Sequence, residues 1–337
     1  MTNDQLMVKA AWLYHVEGIT QAQIAERMLL TRRKVNELLS AALDQGVVKI
    51  SFNSPLAETV EQAAKLRARF ALDDAIIVPT PADAGQIATV IGRATALFLD
   101  TYLRGAGPAA LGVGWGATLR ETVNHMTALN APAIKVRSMM GGLTRGSEIN
   151  TFEIVRRFAK VLNAECHYLA APIYADDPAS RDTIIAQTAF KTLLGEAASV
   201  DVSLLSVGDV STQSLQVRYG LPAGTDGAAL RAAGAVGDLL GRYLDRDGQE
   251  IDHRLNRQVI APELRDYRRI RTRVIASGGR HKRDVLGACL KAGLATILIT
   301  DADTASWLLG DLPSSPPSVN MEDARAAQSQ AIDGHQA

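Results

Sequence analysis

Seven short apolar runs recur along most of this chain, and what separates them constrains the fold more than any other feature. The runs are AIIV (75–78), ALGVGW (110–115), IKVRSM (134–139), CHYLAAP (166–172), VDVSLLSVG (200–208), RTRVIASG (271–278) and ATILIT (295–300). Helical patterns lie near 87–103, 117–128, 150–163, 182–198, 282–292 and 302–309. Runs that are continuously apolar, each followed by a helix, specify a parallel sheet covered on both faces. The expected class is α/β with a Rossmann-like sheet. In such a sheet ligands bind beyond the carboxyl ends of the strands.

The first fifty residues follow a different pattern. Thr20 and Gln23 have capping-box spacing, so a helix starts there by local chemistry. Its inward face is Ile24, Ala25 and Met28. Thr31 offers a second N-cap, after which Val35, Leu38, Leu39, Ala42 and Leu43 recur at helical spacing up to Gly46. Upstream, Leu6, Ala10, Leu13 and Tyr14 mark a further helix ended by Gly18. Downstream, VVKISF alternates Val48, Ile50 and Phe52 on one face, as the strand of a wing does. The expectation is a winged helix-turn-helix. Its DNA-facing set is Thr20 and Gln21 with Thr31, Arg32, Arg33, Lys34, Asn36 and Glu37. The plain alternative is an αα-hairpin with a solvated basic turn.

Charge narrows the partners. Lys plus Arg equal Asp plus Glu at 36 each among 337 residues, and residues 1–52 carry six basic and five acidic side chains. Any DNA contact therefore comes from local placement, not bulk charge, and is expected to need a dimer or tetramer. Cys166 and Cys289 lie in apolar surroundings without partner spacing, as buried thiols do. With no signal-peptide pattern and no bilayer-length apolar run, a soluble cytoplasmic chain is expected.

The strand ends are rich in glycine. Gly112, Gly114 and Gly116 precede a helix, placing backbone N–H groups where an anion could bind: Gly114, Trp115, Gly116, Ala117 and Thr118. Gly141 and Gly142 lead to Arg145, whose fork suits phosphate or carboxylate. Gly208 leads to Asp209, and Gly278-Gly279 leads to His281 and Lys282. Each could be a tight turn, but four such ends in one sheet favour an anionic ligand. The six histidines lack metal-ligand spacing, and neither G-x-S-x-G nor a Walker loop occurs. Asp209 could be a general base, a partner for a sugar hydroxyl or a turn cap. Asp301 has the position of an N-cap. Arg265, Arg268, Arg269, Arg271 and Arg273 form a solvated face or a subunit contact. From Leu312 onward the chain lacks periodicity, and disorder is expected.

The N-terminal motif, LGVGWGAT, the glycines at 141–142, AVGDLLGRYLDRDG (235–248) and SGGRHKRDVLGACLKAGLATILITDADTASWLL (277–309) together resemble the SorC/DeoR-type sugar-responsive transcriptional regulators. The resemblance implies a DNA-binding domain joined to an effector domain similar to sugar-phosphate isomerases, tetrameric assembly and a phosphorylated sugar effector. By it, the Gly114–Thr118 loop and Lys282 match phosphate-contacting elements. AAWLYHVEGITQ (10–21) is similar to erythritol-catabolism repressors of the family, which widens the effector to polyols. Two departures stand out. Asn36-Glu37 replaces a frequent Ser-Arg, and VGDVSTQSLQVRYG (207–220) lacks the Asp-Gly-His run of the isomerase-type enzymes.

The expectation is a regulator, repressor or activator, with a DNA-binding domain at 1–52, an effector domain at 53–311 whose residues 53–70 form a connecting helix, and a tail at 312–337. Its partners are operator DNA, a sugar, sugar phosphate or polyol, and further copies of itself, with no cofactor, metal or membrane. The competing expectation is an isomerase-type enzyme with an appended DNA-binding domain.

Overall fold

The order of the strands follows from the burial of their side chains on two faces. A computed structural model describes residues 1–48, 57–143, 149–212, 214, 216–222 and 224–310. The wing expected at 49–52, Arg145 and the tail at 312–337 lie outside the described residues. The chain divides into two compact units, Met1–Ala57 and the remainder from Glu58.

The first unit holds α1 (Asn3–His15), α2 (Gln21–Met28) and α3 (Arg32–Asp44). Thr20 accepts the Gln23 N–H, and the Gln23 side chain accepts the Thr20 N–H at 3.1 Å, so α2 opens with the expected capping box. Thr31 accepts the Lys34 N–H at 3.1 Å and starts α3. Met7, Ala10, Leu13, Ile24, Val35, Leu38 and Ala42 form the core. Leu43 and Tyr14 are exposed, contrary to the periodic reading. Leu43 lies about 100° around the helix from Ala42, beyond the edge of the buried stripe. Leu29 ends α2 in the left-handed region with φ 55° and is 94 % exposed.

The second unit begins with α4 (Ala57–Phe70), expected from sequence as a connecting arm. It is seated on the unit itself. Leu66 is buried, Gln62 Nε2 donates to Ser306 Oγ at 2.8 Å, and Arg69 Nη1 donates to the Leu309 carbonyl at 2.6 Å. Next come β1 (Asp74–Val78), α5 (Ile87–Ala106), β2 (Ala110–Val113), α6 (Ala117–His125), β3 (Lys135–Ser138), α7 (Thr151–Leu162) and β4 (Glu165–His167). Then follow α8 (Pro178–Ala186), α9 (Thr188–Ala198), β5 (Val202–Leu205) and β6 (Gly208–Asp209). After these come α10 (Gly227–Ala232), β7 (Gly237–Leu239), β8 (Arg242–Leu244), α11 (Arg254–Gln258) and α12 (Leu264–Tyr267). The last elements are β9 (Thr272–Ala276), α13 (Arg283–Lys291), β10 (Ile297–Asp301) and α14 (Ala302–Leu309).

All seven expected strands join one parallel sheet in the order β1-β10-β9-β5-β2-β3-β4. Leu111, Val113, Val202, Leu204, Val274 and Ile299 pack on one face, and Leu205, Ile275 and Leu298 on the other. Burial on both faces explains why these runs are continuously apolar. The direction of winding reverses between β2 and β5, which makes their carboxyl ends the switch point of the sheet.

Two features depart from the sequence reading. The helix expected over 182–198 is two helices, broken at extended Gln187. A second sheet, antiparallel β6-β7-β8, was not expected. Its strands have two or three residues each, too short for an alternating pattern. Its hairpin turns on Leu240 and Gly241, both at positive φ (59° and 76°), where the usual Asn-Gly signal is absent.

Candidate functional site

A cavity of about 270 Å³ lies at the carboxyl ends of β2 and β5, where the switch point directs attention. Gly114, Trp115, Gly116, Ala117 and Thr118 line it from the β2–α6 junction, joined by Ala84 and Gly85 just before α5 and by Ile87 and Ala88 in its first turn. The three loop glycines serve different ends. A Cβ on Gly112 would lie 2.2 Å from Met139 Sδ, and the Gly114 N–H is bonded to the Leu204 carbonyl at 3.0 Å, so both belong to sheet packing. Gly116 has φ 115°, a left-handed conformation that admits glycine readily, and it starts α6. Among the described residues no side chain caps α6. The first N–H groups of a helix lack intrahelical acceptors, so this terminus retains donors and a partial positive charge for an anion.

Lys282 reaches the same cavity from the loop after β9. It is half-buried and forms no ion pair within 4 Å among the described residues. Burial lowers the affinity of its ammonium for the proton, and the Asp209 and Asp238 carboxylates oppose that shift.

The opposite wall is polar and acidic. Asp209 lies in β6 and Asp238 in β7, the two strands of the small sheet that pair at this point. One Asp238 oxygen accepts the Gly241 N–H at 3.0 Å. Burial pushes the Asp238 carboxyl up to about 6, against the pull of Gly241 and Lys282. Asp209 accepts the Ser211 N–H at 3.2 Å. Asp238 Oδ1, Gln216 Oε1 and Ser214 Oγ are buried with no hydrogen-bond partner among the described residues. All three residues line the cavity. Unpaired buried polar atoms are costly, and a hydroxyl-rich ligand would satisfy them.

Of the residues expected at an effector site, Gly114 to Thr118, Asp209 and Lys282 are brought together. Gly141, Gly142 and Gly279 do not line the cavity. A Cβ on Gly141 would meet the Pro172 carbonyl oxygen, and one on Gly142 would strike the Phe152 ring, so close packing explains both glycines. The Gly279 N–H is committed to Asp301 and Thr304. Sequence reasoning missed Ser214, Gln216 and Asp238. Asp238 left one signal, a carboxylate inside the apolar run AVGDLL; Gln216 left none.

The first unit carries its candidate DNA-facing residues on α3. Arg32, Arg33, Asn36 and Glu37 are exposed, and Lys34 is half-buried. Gln21 Nε2 donates to Asn36 Oδ1 at 3.4 Å across the two helices. Glu37 lies 3.1 Å from Arg33 and 4.0 Å from Lys34, so within this surface it offsets two of the three cations. Outside both sites, Arg273 donates to the Arg268 and Gly293 carbonyls and is a structural brace, whereas Arg265 and Arg269 are exposed. Cys166 is half-buried, 3.4 Å from the Tyr168 hydroxyl, and Cys289 is fully buried. Among the described residues no cluster of His, Cys, Asp or Glu has the makings of a metal site, and no helix is long and apolar enough to cross a membrane.

The fold and the cavity together define a class: a three-helix unit in one chain with an α/β domain that holds a cavity at the switch point of its sheet. Comparison with known proteins agrees. Residues 54–310 match the family model Sugar-bind, described as "Putative sugar-binding domain". The erythritol catabolism regulatory protein EryD of Brucella abortus is 28% identical over 310 residues, covering 91% of this chain and 97% of that protein. The transcriptional regulator LsrR of Escherichia coli K12 is 28% identical over 315 residues, covering 92% and 96%. A DeoR family transcriptional regulator from Listeria monocytogenes superposes with TM-score 0.68 at 25% identity, covering 74% of this chain and 99% of that one. The full-length sorbitol operon regulator SorC of Klebsiella pneumoniae shares the fold with TM-score 0.67 at 24% identity, covering 91% and 99%. The chain belongs to the SorC/DeoR-type family of sugar-binding transcriptional regulators.

Proposed function

We propose that this regulator binds operator DNA through α3 and is gated by a small phosphorylated sugar or polyol held in the β2–β5 cavity. One observation carries the reading. A single cavity combines a helix N-terminus and Lys282 with a wall bearing three buried polar atoms that, like that terminus, have no side-chain partner among the described residues. The first pair suits a phosphate, because backbone N–H groups orient the anion and Lys adds a compact charge. The polar wall suits the hydroxyls of the same molecule. Similarity to a regulator named for erythritol catabolism supports a polyol-derived ligand and control of a catabolic operon.

The ligand would act by binding one arrangement of the subunits more tightly than another, only one of which presents paired recognition helices at operator spacing. A homodimer or tetramer in the cytoplasm fits this scheme, because a recognition surface with Glu37 among its cations has little non-specific affinity to spare. A sensor is favoured over an isomerase-type enzyme. The loop after Asp209 carries no Asp-Gly-His run, and Ser214 and Gln216 occupy that stretch.

Electrophoretic mobility shift of the upstream operator, titrated with a panel of sugar phosphates and free polyols, tests the proposal. Release by at least one phosphorylated member, without turnover of it, is expected. Turnover of a panel member, or operator binding indifferent to every member, would overturn it.

A further inference from the structure

Among the described residues Gln216 is the one amide side chain on the cavity wall, and its orientation is set by a residue behind it. Gln216 Nε2 donates to the Tyr174 hydroxyl at 3.0 Å, and that hydroxyl donates to the Gly241 carbonyl at 2.6 Å. A carbonyl oxygen only accepts, so the Tyr174 proton is committed to Gly241. Its remaining capacity toward Gln216 is a lone pair, which takes the NH₂ end of the amide. Tyr174 is buried, and a Cβ on Gly220 would lie 2.9 Å from Gln216 Cδ, so the amide is packed closely from that side too. The oxygen is left over: among the described residues Gln216 Oε1 is buried and unpartnered, as is Asp238 Oδ1.

We propose that Tyr174 is a positioning residue that holds the Gln216 oxygen toward the ligand, so that this wall selects carbinol O–H donors and rejects a carbonyl at the same place. The inference rests on the phosphate-and-polyol reading above and narrows its ligand class to reduced sugars, the alditol phosphates. Two acceptors on one wall cannot pair with a ligand carbonyl, which also only accepts. A carbonyl there leaves buried oxygens facing one another, and sites built around one hydrogen-bonding sense discriminate strongly against the other.

The test is equilibrium titration of the full chain with alditol phosphates of three to five carbons and with their two oxidised forms, the 2-ketose phosphate and the aldonate phosphate. Inorganic phosphate serves as the probe of the anion end. Wild type should bind the best-fitting alditol phosphate about tenfold or more tighter than at least one oxidised form. Tyr174→Phe frees the amide to turn its NH₂ inward and should shrink that ratio to about threefold or less. Adding Gln216→Glu to Tyr174→Phe should restore the preference, since a carboxylate accepts in either orientation, and simple loss of packing would not be rescued. Gln216→Leu should lose the preference while inorganic phosphate binds as before, giving a second route if Tyr174→Phe does not fold. Equal binding of alditol and both oxidised forms by wild type overturns the inference, as does an unchanged ratio in Tyr174→Phe or Gln216→Leu. If no sugar derivative binds better than inorganic phosphate, the ligand reading beneath it fails instead.

Discussion

Asp301 Oδ2 accepts the backbone N–H of Gly279 at 2.8 Å, tying the end of β10 to the loop that follows β9. The same oxygen accepts the Thr304 hydroxyl at 2.7 Å, and Oδ1 accepts the Thr304 N–H at 3.0 Å and the Thr80 hydroxyl at 3.2 Å. One carboxylate thus joins three strand ends, and Lys282 stands three residues beyond Gly279. Replacing Asp301 with Ala removes an N-cap and orphans a buried N–H. A loss of about 2–4 kcal/mol in urea unfolding is expected, with weaker sugar-phosphate binding by the folded fraction.

Lys282→Ala should separate binding from stability. The ammonium forms no ion pair among the described residues, so the unfolding midpoint should move little. A charge-assisted hydrogen bond to phosphate is worth about 1.5–3 kcal/mol, so affinity should fall roughly ten- to hundredfold in calorimetric titration. Unchanged affinity would place Lys282 outside the site.

Asp238 makes stability depend on pH. Its carboxyl is 4 % exposed, and burial raises it from 3.8 to about 6. Between those values the native state holds a proton that the unfolded chain releases. Its contribution is therefore complete below about pH 4 and is lost as pH rises through about 6. Asp238→Asn removes that dependence. Relative to wild type it should gain on the order of 1–3 kcal/mol at pH 8 and little at pH 4, at the expense of ligand affinity. Parallel stability–pH curves for the two proteins would contradict this.

On α3, replacing Arg32, Arg33 and Lys34 together with Ala should abolish operator binding while leaving the helical circular dichroism intact, since Arg33 is 90 % exposed and none of the three belongs to the core. Arg33→Ala alone separates two roles. If it reads a base, one position loses specificity at a cost of about 1–3 kcal/mol; if it meets a phosphate, all sequences weaken alike and the salt slope falls by about one.

Leu29 holds a left-handed conformation with its side chain in solvent. That conformation strains a residue with a Cβ by about 1–2 kcal/mol, partly offset in any glycine variant by the larger entropy of the unfolded chain. Leu29→Gly should therefore raise the unfolding midpoint of the N-terminal unit modestly. A lower midpoint would mean that Leu29 is not strained.

How much of this was legible beforehand depends on the range of the interactions. Thr20 with Gln23, Thr31 with Lys34 and Asp301 with Thr304 act within one helical turn, so their caps were readable from spacing alone. The seven strands were readable because burial on both faces leaves each run continuously apolar. That Gly114 to Thr118 and Lys282 would meet at one cavity was readable because strand ends carry ligands in such sheets.

The polar wall was decided by tertiary structure. Asp209 and Asp238 meet only because two very short strands pair across 28 intervening residues. Gln216 becomes an oriented acceptor only when Tyr174 and Gly241 arrive from elsewhere in the chain. Conversely, Gly141 and Gly142 looked like ligand glycines until Pro172 and Phe152 packed against them. Local chemistry and periodicity are written in neighbouring residues. Which polar atom is left without a partner is a property of the whole packed domain, and no window of sequence contains it.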